Sequence, residues 1–201
     1  MNGKKILSIS GTGSGADIEV DDMHFSIPSR IEFLDSNIDG LTDRLYVGDL
    51  GGQVWRVDLS EAIPIEGGTP SNGTVVGLLA QISGNDAANR RRFFEPPSIV
   101  QVTDELFADE PEYDYVLLGS GNRPNPLEET VKDRFYAFRD REIDANALND
   151  TSSDHVAGQG DDYPDTTSSP YSHADSTSLI NVTQKGMAEI AAINENLVKD
   201  S

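Results

Sequence analysis

Residues 44–59 read Arg-Leu-Tyr-Val-Gly-Asp-Leu-Gly-Gly-Gln-Val-Trp-Arg-Val-Asp-Leu, and this stretch decides the fold class. Apolar and polar side chains alternate over 44–48 and again over 54–59, which is the period-two pattern of strands. Between the two runs, Asp49 to Gly52 form a turn cluster of the right length for a hairpin with a residue at positive φ. The stretch therefore predicts an antiparallel β-hairpin.

The chain on either side of this hairpin shows the same kind of pattern. Short β-rich runs between turn residues occupy 5–10, 29–34, 44–48, 53–59, 74–82, 98–102, 113–118 and 134–139. The order strand, glycine turn, aromatic strand, aspartate in 45–58 returns in 116–140, and it is typical of β-propeller blades of about 40–45 residues. We therefore predict an all-β fold, a partial or modified β-propeller of antiparallel blades. An antiparallel sandwich is the alternative.

Two segments near the C-terminus depart from the strand pattern. Residues 142–184 contain no Lys or Arg and are rich in Ser, Thr and Asp. We predict a long acidic loop there, because such a stretch has too little apolar surface to bury. Helical spacing within 186–198, from Met187 to Leu197, predicts a short C-terminal helix. We interpret 1–201 as one domain and as a fragment of a larger propeller, with roughly three blades.

The charge balance limits the classes of partner. The chain has 15 Lys and Arg against 35 Asp and Glu, a net charge of −20, which repels phosphate backbones and excludes nucleic acid as a partner. The absence of cysteine excludes disulfides, thiolate zinc sites and a cysteine nucleophile. No run of 18 or more apolar residues occurs, so we predict no membrane span. The small partner that suits such a domain is a hard cation.

Residues 35–43, Asp-Ser-Asn-Ile-Asp-Gly-Leu-Thr-Asp, are the best candidate for a cation site. Oxygen-bearing side chains at positions 1, 3, 5 and 9 and a glycine at 6 match the first three quarters of the EF-hand calcium loop. Gly40 permits the chain reversal at positive φ. Position 12 is Tyr46 instead of a bidentate glutamate, so we predict a calcium loop between strands with Kd on the order of 10⁻⁶ to 10⁻³ M. An acidic turn without an ion is the alternative.

Two further motifs indicate structure more than a binding site. Residues 11–16, Gly-Thr-Gly-Ser-Gly-Ala, match a dinucleotide-binding fingerprint, but acidic residues and Pro28 follow where a helix is needed, so a turn is favoured. Residues 90–94, Arg-Arg-Arg-Phe-Phe, are the only basic cluster. In so acidic a chain, pairing of these arginines with acidic loops is favoured over binding of an external anion.

Residues 35–58 resemble the calcium-loop-plus-hairpin signature of the type IV pilus tip-associated adhesin family (PilY-type), in its C-terminal β-propeller. Residues 91–97, Arg-Arg-Phe-Phe-Glu-Pro-Pro, and residues 119–140, from Gly-Ser-Gly-Asn-Arg-Pro to Phe-Arg-Asp, resemble two further landmarks of that propeller in the same order. The resemblance covers 29–140 well. It implies a calcium site with these ligands: the side chains of Asp35, Asn37, Asp39 and Asp43, and the backbone carbonyl of Leu41.

The resemblance also implies a function. We expect a non-catalytic, calcium-binding module at the bacterial cell surface, pilus tip or outer envelope that supports pilus biogenesis, twitching motility and surface adhesion. The expected partners are pilus components, the rest of its own chain, or a host or abiotic surface. The family's large N-terminal adhesive region and its export signal have no counterpart in this sequence.

Two alternatives to this function stay open. The enzymatic one is a fragment of a quinoprotein-type dehydrogenase propeller, a class that also holds calcium. That class uses repeated tryptophan docking motifs, whereas Trp55 is the single tryptophan here. The other alternative is an acidic structural module that binds no ion.

Overall fold

The computed structural model describes residues 5, 7–59, 74–83, 87–103, 112–140, 143 and 177–179. A 3₁₀ turn at Ala87–Asn89 and ten strands occur in these ranges: β1 (Ile9–Gly11), β2 (Ile18–Val20), β3 (Glu32–Leu34), β4 (Arg44–Gly48), β5 (Gln53–Asp58), β6 (Val75–Gln81), β7 (Ser98–Thr103), β8 (Glu112–Gly119), β9 (Phe135–Asp140) and β10 (Thr177–Leu179). Within the same ranges, the structure has no helix whose length and apolar character would let it cross a bilayer.

The strands form two four-stranded antiparallel meanders and one two-stranded parallel pair. The first sheet has the order β3-β4-β5-β6, and the second has the order β10-β9-β8-β7. A four-stranded meander is the unit of a propeller blade, so two successive meanders fit the repeat seen in the sequence. The prediction of an all-β fold of antiparallel sheets is confirmed. Over the described strands neither sheet closes into a ring, and the propeller arrangement stays a prediction.

The hairpin predicted from residues 44–59 forms the centre of the first sheet, with β4 and β5 paired from Arg44–Asp58 to Gly48–Val54. Gly52 in its turn has φ 73°, as expected. The Asp49 carboxylate accepts hydrogen bonds from the backbone N–H groups of Gly51 (2.8 Å) and Gln53 (3.0 Å) and from Trp55 Nε1 (3.0 Å). These three bonds order the turn and thereby fix the register of the hairpin.

Two strand pairs were not predicted from the sequence. β1 and β2 run parallel, and the Asp17 carboxylate just before β2 accepts hydrogen bonds from the N–H (2.8 Å) and hydroxyl (2.7 Å) of Ser8. The second pair joins β10 to β9. β10 lies within residues 142–184, for which an acidic loop was predicted. Apart from β10 and residue 143, that stretch lies outside the described residues, as does the predicted helix at 186–198.

Apolar clusters cover both faces of the first sheet. On one face, Val47 and Trp55 pack with Met23 and with partly buried residues of β1, β2 and β6. On the other face, Tyr46 and Val54 join a larger cluster that reaches into the second sheet and includes Leu79, Ala80, Ile82, Phe93, Val116, Leu118, Tyr136 and Phe138. Because both faces are covered, every residue of β5 is buried.

Phe93 marks the point where the hairpin meets the second sheet. Its backbone N–H donates to the Asp49 carbonyl (2.9 Å), and its ring lies edge-on to that of Tyr136 with centroids 6.0 Å apart. A Cβ added at Gly48 would lie 2.6 Å from the Phe93 Cβ. The absence of a side chain at Gly48 therefore sets how closely β4 approaches this ring.

Replacing Gly48 with alanine tests this approach. We expect Gly48→Ala to lower the free energy of unfolding by about 1–3 kcal/mol, since the fully buried Phe93 has no room to retreat. Urea unfolding followed by circular dichroism measures the change. Gly121→Ala is the matched control, because a Cβ at Gly121 meets nothing within 4 Å. Equal losses in the two variants would contradict the packing described.

Candidate metal centre

The candidate calcium loop, residues 35–43, joins β3 to β4. Two backbone hydrogen bonds close its base, from Asp43 N–H to the Leu34 carbonyl (2.9 Å) and from Leu59 N–H to the Asp43 carbonyl (2.8 Å). Gly40 has φ 89°, as predicted, and Ile38 has φ 61°. A β-branched residue at positive φ is a genuine outlier, so the loop is held in a shape that the sequence alone does not favour.

The side chains of Asp35, Asn37 and Asp39 fold back into this loop. The Asp35 carboxylate accepts from the N–H groups of Asp39 (3.2 Å) and Gly40 (2.8 Å). Asn37 Oδ1 accepts from the Asp39 N–H at 2.9 Å, and Asp39 Oδ1 accepts from the Leu41 N–H at 2.8 Å. The structure thus brings together the three side chains predicted as ligands at positions 1, 3 and 5.

The remaining two predicted ligands have different surroundings. Asp43 Oδ2 accepts from the N–H (2.6 Å) and the hydroxyl of Ser36. Burial raises the pKa of Asp43, but the hydrogen bonds from Ser36 and from the Asn37 backbone outweigh it, so the pKa lies below its ordinary value. Leu41 contributes no side-chain oxygen, and its side chain is exposed.

The donor chemistry of the loop fits calcium, although a full cage is not assembled. Carboxylate and amide oxygens have two lone pairs each, and a backbone N–H uses one of them. Calcium accepts 6–8 such oxygens without strict angles. Yet no group of three or more His, Asp or Glu that could hold a metal occurs in the part of the chain that the structure describes. Binding by all five predicted ligands therefore requires Asp43 to share its oxygens between Ser36 and the ion.

A buried group of charged residues begins one residue after the loop, between the two sheets. Its members are less than a tenth exposed, and we call them the charged interface: Arg44, Tyr46, Arg56 and Asp58 from the first sheet, and Asp114 and Asp140 from the second. No pattern in the sequence indicated it. The loop and this interface meet at the start of β4.

Arg56 is the centre of the charged interface. It donates to both oxygens of Asp58 (2.8 and 2.6 Å) and to both oxygens of Asp140 (3.2 and 3.1 Å). Arg44 Nε lies 2.9 Å from Asp114 Oδ2, but the two are not aligned for a hydrogen bond. The contact between Arg44 and Asp114 is therefore an ion pair without a hydrogen bond. The hydrogen-bonded ion pairs of the interface are those of Arg56.

Tyr46 lies between the two carboxylates of the second sheet. Its hydroxyl is 2.8 Å from Asp114 Oδ2 and 2.9 Å from Asp140 Oδ2. A phenol has one proton and donates fully to only one of them. With two arginines and three ionised aspartates, the interface also carries one negative charge in excess. A proton on Asp140 supplies the missing hydrogen bond to Tyr46 and also neutralises the excess negative charge. Burial raises the pKa of Asp140 to about 6 in spite of Arg56.

This shift makes stability depend on pH. The folded pKa of Asp140 is above its ordinary value of 3.8. Its contribution to stability is therefore fully present below pH 3.8 and is lost as pH rises through about 6, by about 3 kcal/mol in all. We expect Asp140→Asn, which cannot titrate, to gain stability relative to wild type by about that amount between pH 4 and pH 8.

Urea unfolding at several pH values measures this difference. Asp22→Asn is the control of equal charge change, because Asp22 is exposed. Its stability profile should run parallel to that of the wild type. A parallel profile for Asp140→Asn as well would show that Asp140 is ionised throughout this range.

The glycine-rich stretch 11–16 forms a turn, as the sequence favoured. Strand β2 follows it, not a helix. The N–H groups of Gly13 and Gly15 donate to the Glu19 carboxylate at 2.9 and 2.7 Å, and these two bonds are the main cause of the lowered pKa of Glu19. The chain's own carboxylate thus takes the amides that a dinucleotide phosphate would need.

No protein-family model matches this chain, and no curated protein matches it. Among solved structures, it is similar to the C-terminal domain of Pseudomonas aeruginosa PilY1, with 20% sequence identity and a TM-score of 0.43. The similarity covers 61% of this chain and 27% of that chain, so the chain spans about a quarter of the structure that it matches.

Proposed function

We propose that the chain is a non-catalytic, calcium-binding segment of a β-propeller from a type IV pilus tip-associated protein. In this proposal it acts at the bacterial cell surface, pilus tip or outer envelope, in pilus biogenesis, twitching motility and surface adhesion. The calcium part is carried by one observation, the convergence of Asp35, Asn37 and Asp39 in a loop turned by Gly40. The pilus part is supported by the resemblance of residues 29–140 to the PilY-type family.

The ion would be held by the side chains of Asp35, Asn37, Asp39 and Asp43 and by the backbone carbonyl of Leu41. Bound calcium supplies the positive charge that the loop itself lacks. Without it, three carboxylates within nine residues repel one another, and hydrogen bonds from backbone N–H groups, Ser36 and Asn37 compensate in part. Occupancy would therefore stiffen the junction between β3 and β4.

The loop is also connected to the contact between the two sheets. The charge of Arg44 is among the causes that lower the pKa of Asp43. Arg44 in turn lies against Asp114 of the second sheet. Calcium in the loop would therefore change the charge that Arg44 faces, next to its ion pair with the second sheet.

No step of this function requires catalysis. Trp55, the residue on which a quinone-docking alternative would depend, is buried, and its Nε1 donates to Asp49 at 3.0 Å. Its ring packs against Met23 and Val47. The single tryptophan therefore has a structural role in the hairpin.

Calcium binding should raise stability. At a calcium concentration one hundred times Kd we expect a gain of about 2.7 kcal/mol in the free energy of unfolding, with a smaller gain from magnesium at the same ionic strength. In Asp39→Ala the calcium-dependent gain should disappear. The measurement is urea unfolding with calcium, with magnesium and with chelator.

Asp21→Ala, which removes an exposed acid outside the loop, is the control and should keep the full calcium response. Comparing each variant with itself, with and without calcium, separates loss of the ion from loss of the loop's own hydrogen bonds. A wild-type chain that responds equally to both cations would show that only ionic strength matters.

Association with pili tests the other part of the proposal. We expect the full chain to co-sediment with purified type IV pili in calcium and to do so less in chelator. Asp35→Ala/Asp39→Ala should resemble the chelated wild type, because both lack the ordered loop. No co-sedimentation in calcium, from a chain that does bind calcium, would refute the pilus role and leave the ion site standing.

A further inference from the structure

The three arginines of the basic cluster at residues 90–92 differ in burial. Arg91 is 1% exposed and donates from Nε to the Tyr136 hydroxyl (3.2 Å) and from Nη1 to the Ala88 carbonyl (3.0 Å). Arg90 and Arg92 instead line a cavity of about 390 Å³. Burial alternates along the segment, with Arg90 exposed, Arg91 buried and Arg92 half-buried. Arg91 is therefore part of the core, and Arg90 and Arg92 border the cavity.

The backbone that carries these arginines is tied to both sheets. Arg91 N–H donates to Ser83 Oγ at 3.1 Å, next to the end of β6. The Arg92 carbonyl accepts from Gly121 N–H at 3.0 Å, next to the end of β8, and Phe93 N–H donates to the Asp49 carbonyl at 2.9 Å. The positions of Arg90 and Arg92 along the cavity wall are therefore fixed by the fold.

Among the described residues, none of those that line the cavity is acidic. Besides the two arginines, the described lining residues are Phe25, Leu50, Gly51, Gln81 and Ser83. The Phe25 ring packs against Gly51 and is 51% exposed. The volume falls in the range of small-ligand sites, about 300–1,000 Å³. The walls thus offer two cations, two polar side chains and one aromatic face.

Neither Arg90 nor Arg92 has a neutralising partner in the described structure. The ion pairs there involve other basic residues, namely Lys5, Arg30, Arg44, Arg56 and Arg123. The pairing with acidic loops that the sequence favoured is therefore not seen within those ranges. The chain has a net charge of −20, whereas Arg90 and Arg92 make this part of the described surface positive.

We propose that this cavity is a binding site for a small anion that carries carboxylate or phosphate groups. Arg90 and Arg92 would bind the anionic groups, because the planar guanidinium fork matches both carboxylate and phosphate. Phe25 would lie against the organic part of the ligand. The site is independent of the proposed calcium function, since the cavity adjoins the turn after β4 and the calcium loop precedes β4.

Titration of the full chain with two probes tests the site. Inorganic phosphate and succinate are added separately in calcium-free, low-chloride buffer, and binding is followed by calorimetry. We expect Arg90→Gln/Arg92→Gln to bind at least about tenfold more weakly than wild type. The control is Arg30→Gln/Arg123→Gln, which removes the same charge from two side chains that are 73% exposed and lie outside the cavity. It should bind like the wild type.

Chemical modification locates the anion independently of the variants. Phenylglyoxal labelling of wild type, read by mass spectrometry, should slow at Arg90 and Arg92 when the probe is present and stay unchanged at Arg30. Binding of phosphate alone would assign a phosphate ligand, and binding of succinate alone a carboxylate. No binding of either probe to wild type, equal binding to both double variants, or no protection at Arg90 and Arg92 would overturn the proposal.

Discussion

The guanidinium groups of Arg44 and Arg56, which lie between the two sheets, constrain the rest of this structure. Arg56 is 1% exposed, and its buried charge faces Asp58 of its own sheet and Asp140 of the second sheet. A buried charge without partners costs several kcal/mol, whereas a paired one contributes little net stability. We infer that the charged interface determines how the sheets are aligned more than how strongly they bind. Sliding one sheet along the other would separate Arg56 from Asp140.

The two ends of the contact between the sheets have different chemistry. Near the hairpin turn, Val54, Phe93 and Leu118 make an apolar contact, and at the other end of the same strands lie the arginines and aspartates. Burial at the apolar end stabilises the contact, and the ion pairs at the charged end determine how the two sheets are aligned. The calcium loop joins at the charged end and the arginine-lined cavity at the apolar end. The two proposed sites are thus separated by the length of a strand.

Local patterns in the sequence predicted the parts of the structure that depend on local contacts. Alternation in residues 44–59 predicted the hairpin, and the pattern of residues 35–43 predicted a loop between strands with Gly40 at positive φ. Strands β2 and β10 were missed because each has three residues and depends on a partner elsewhere in the chain. The Ser36 contacts of Asp43 were missed as well, since the calcium-loop template assigns Asp43 to the ion.

The charged interface could not be predicted from periodicity. Arg56 and Asp140 are 84 residues apart, and a polar residue in an alternating strand is ordinarily assigned to the solvent side. Here that rule fails because β5 is covered on both faces. The same limit applies to the arginine cluster, where Arg91 is buried and its two neighbours are not. A usable signal was the pairing of Arg44 with Asp58 across the hairpin, which places opposite charges side by side on one face.

The position of Trp55 makes one face of the first sheet separately observable. The only indole of the chain lies under β1 and β2, whereas the tyrosine hydroxyl of Tyr46 lies on the opposite face, among the aspartates. Indole emission therefore reports on the cover formed by the N-terminal strands. Detachment of that layer would change the emission of a single residue, without any added label.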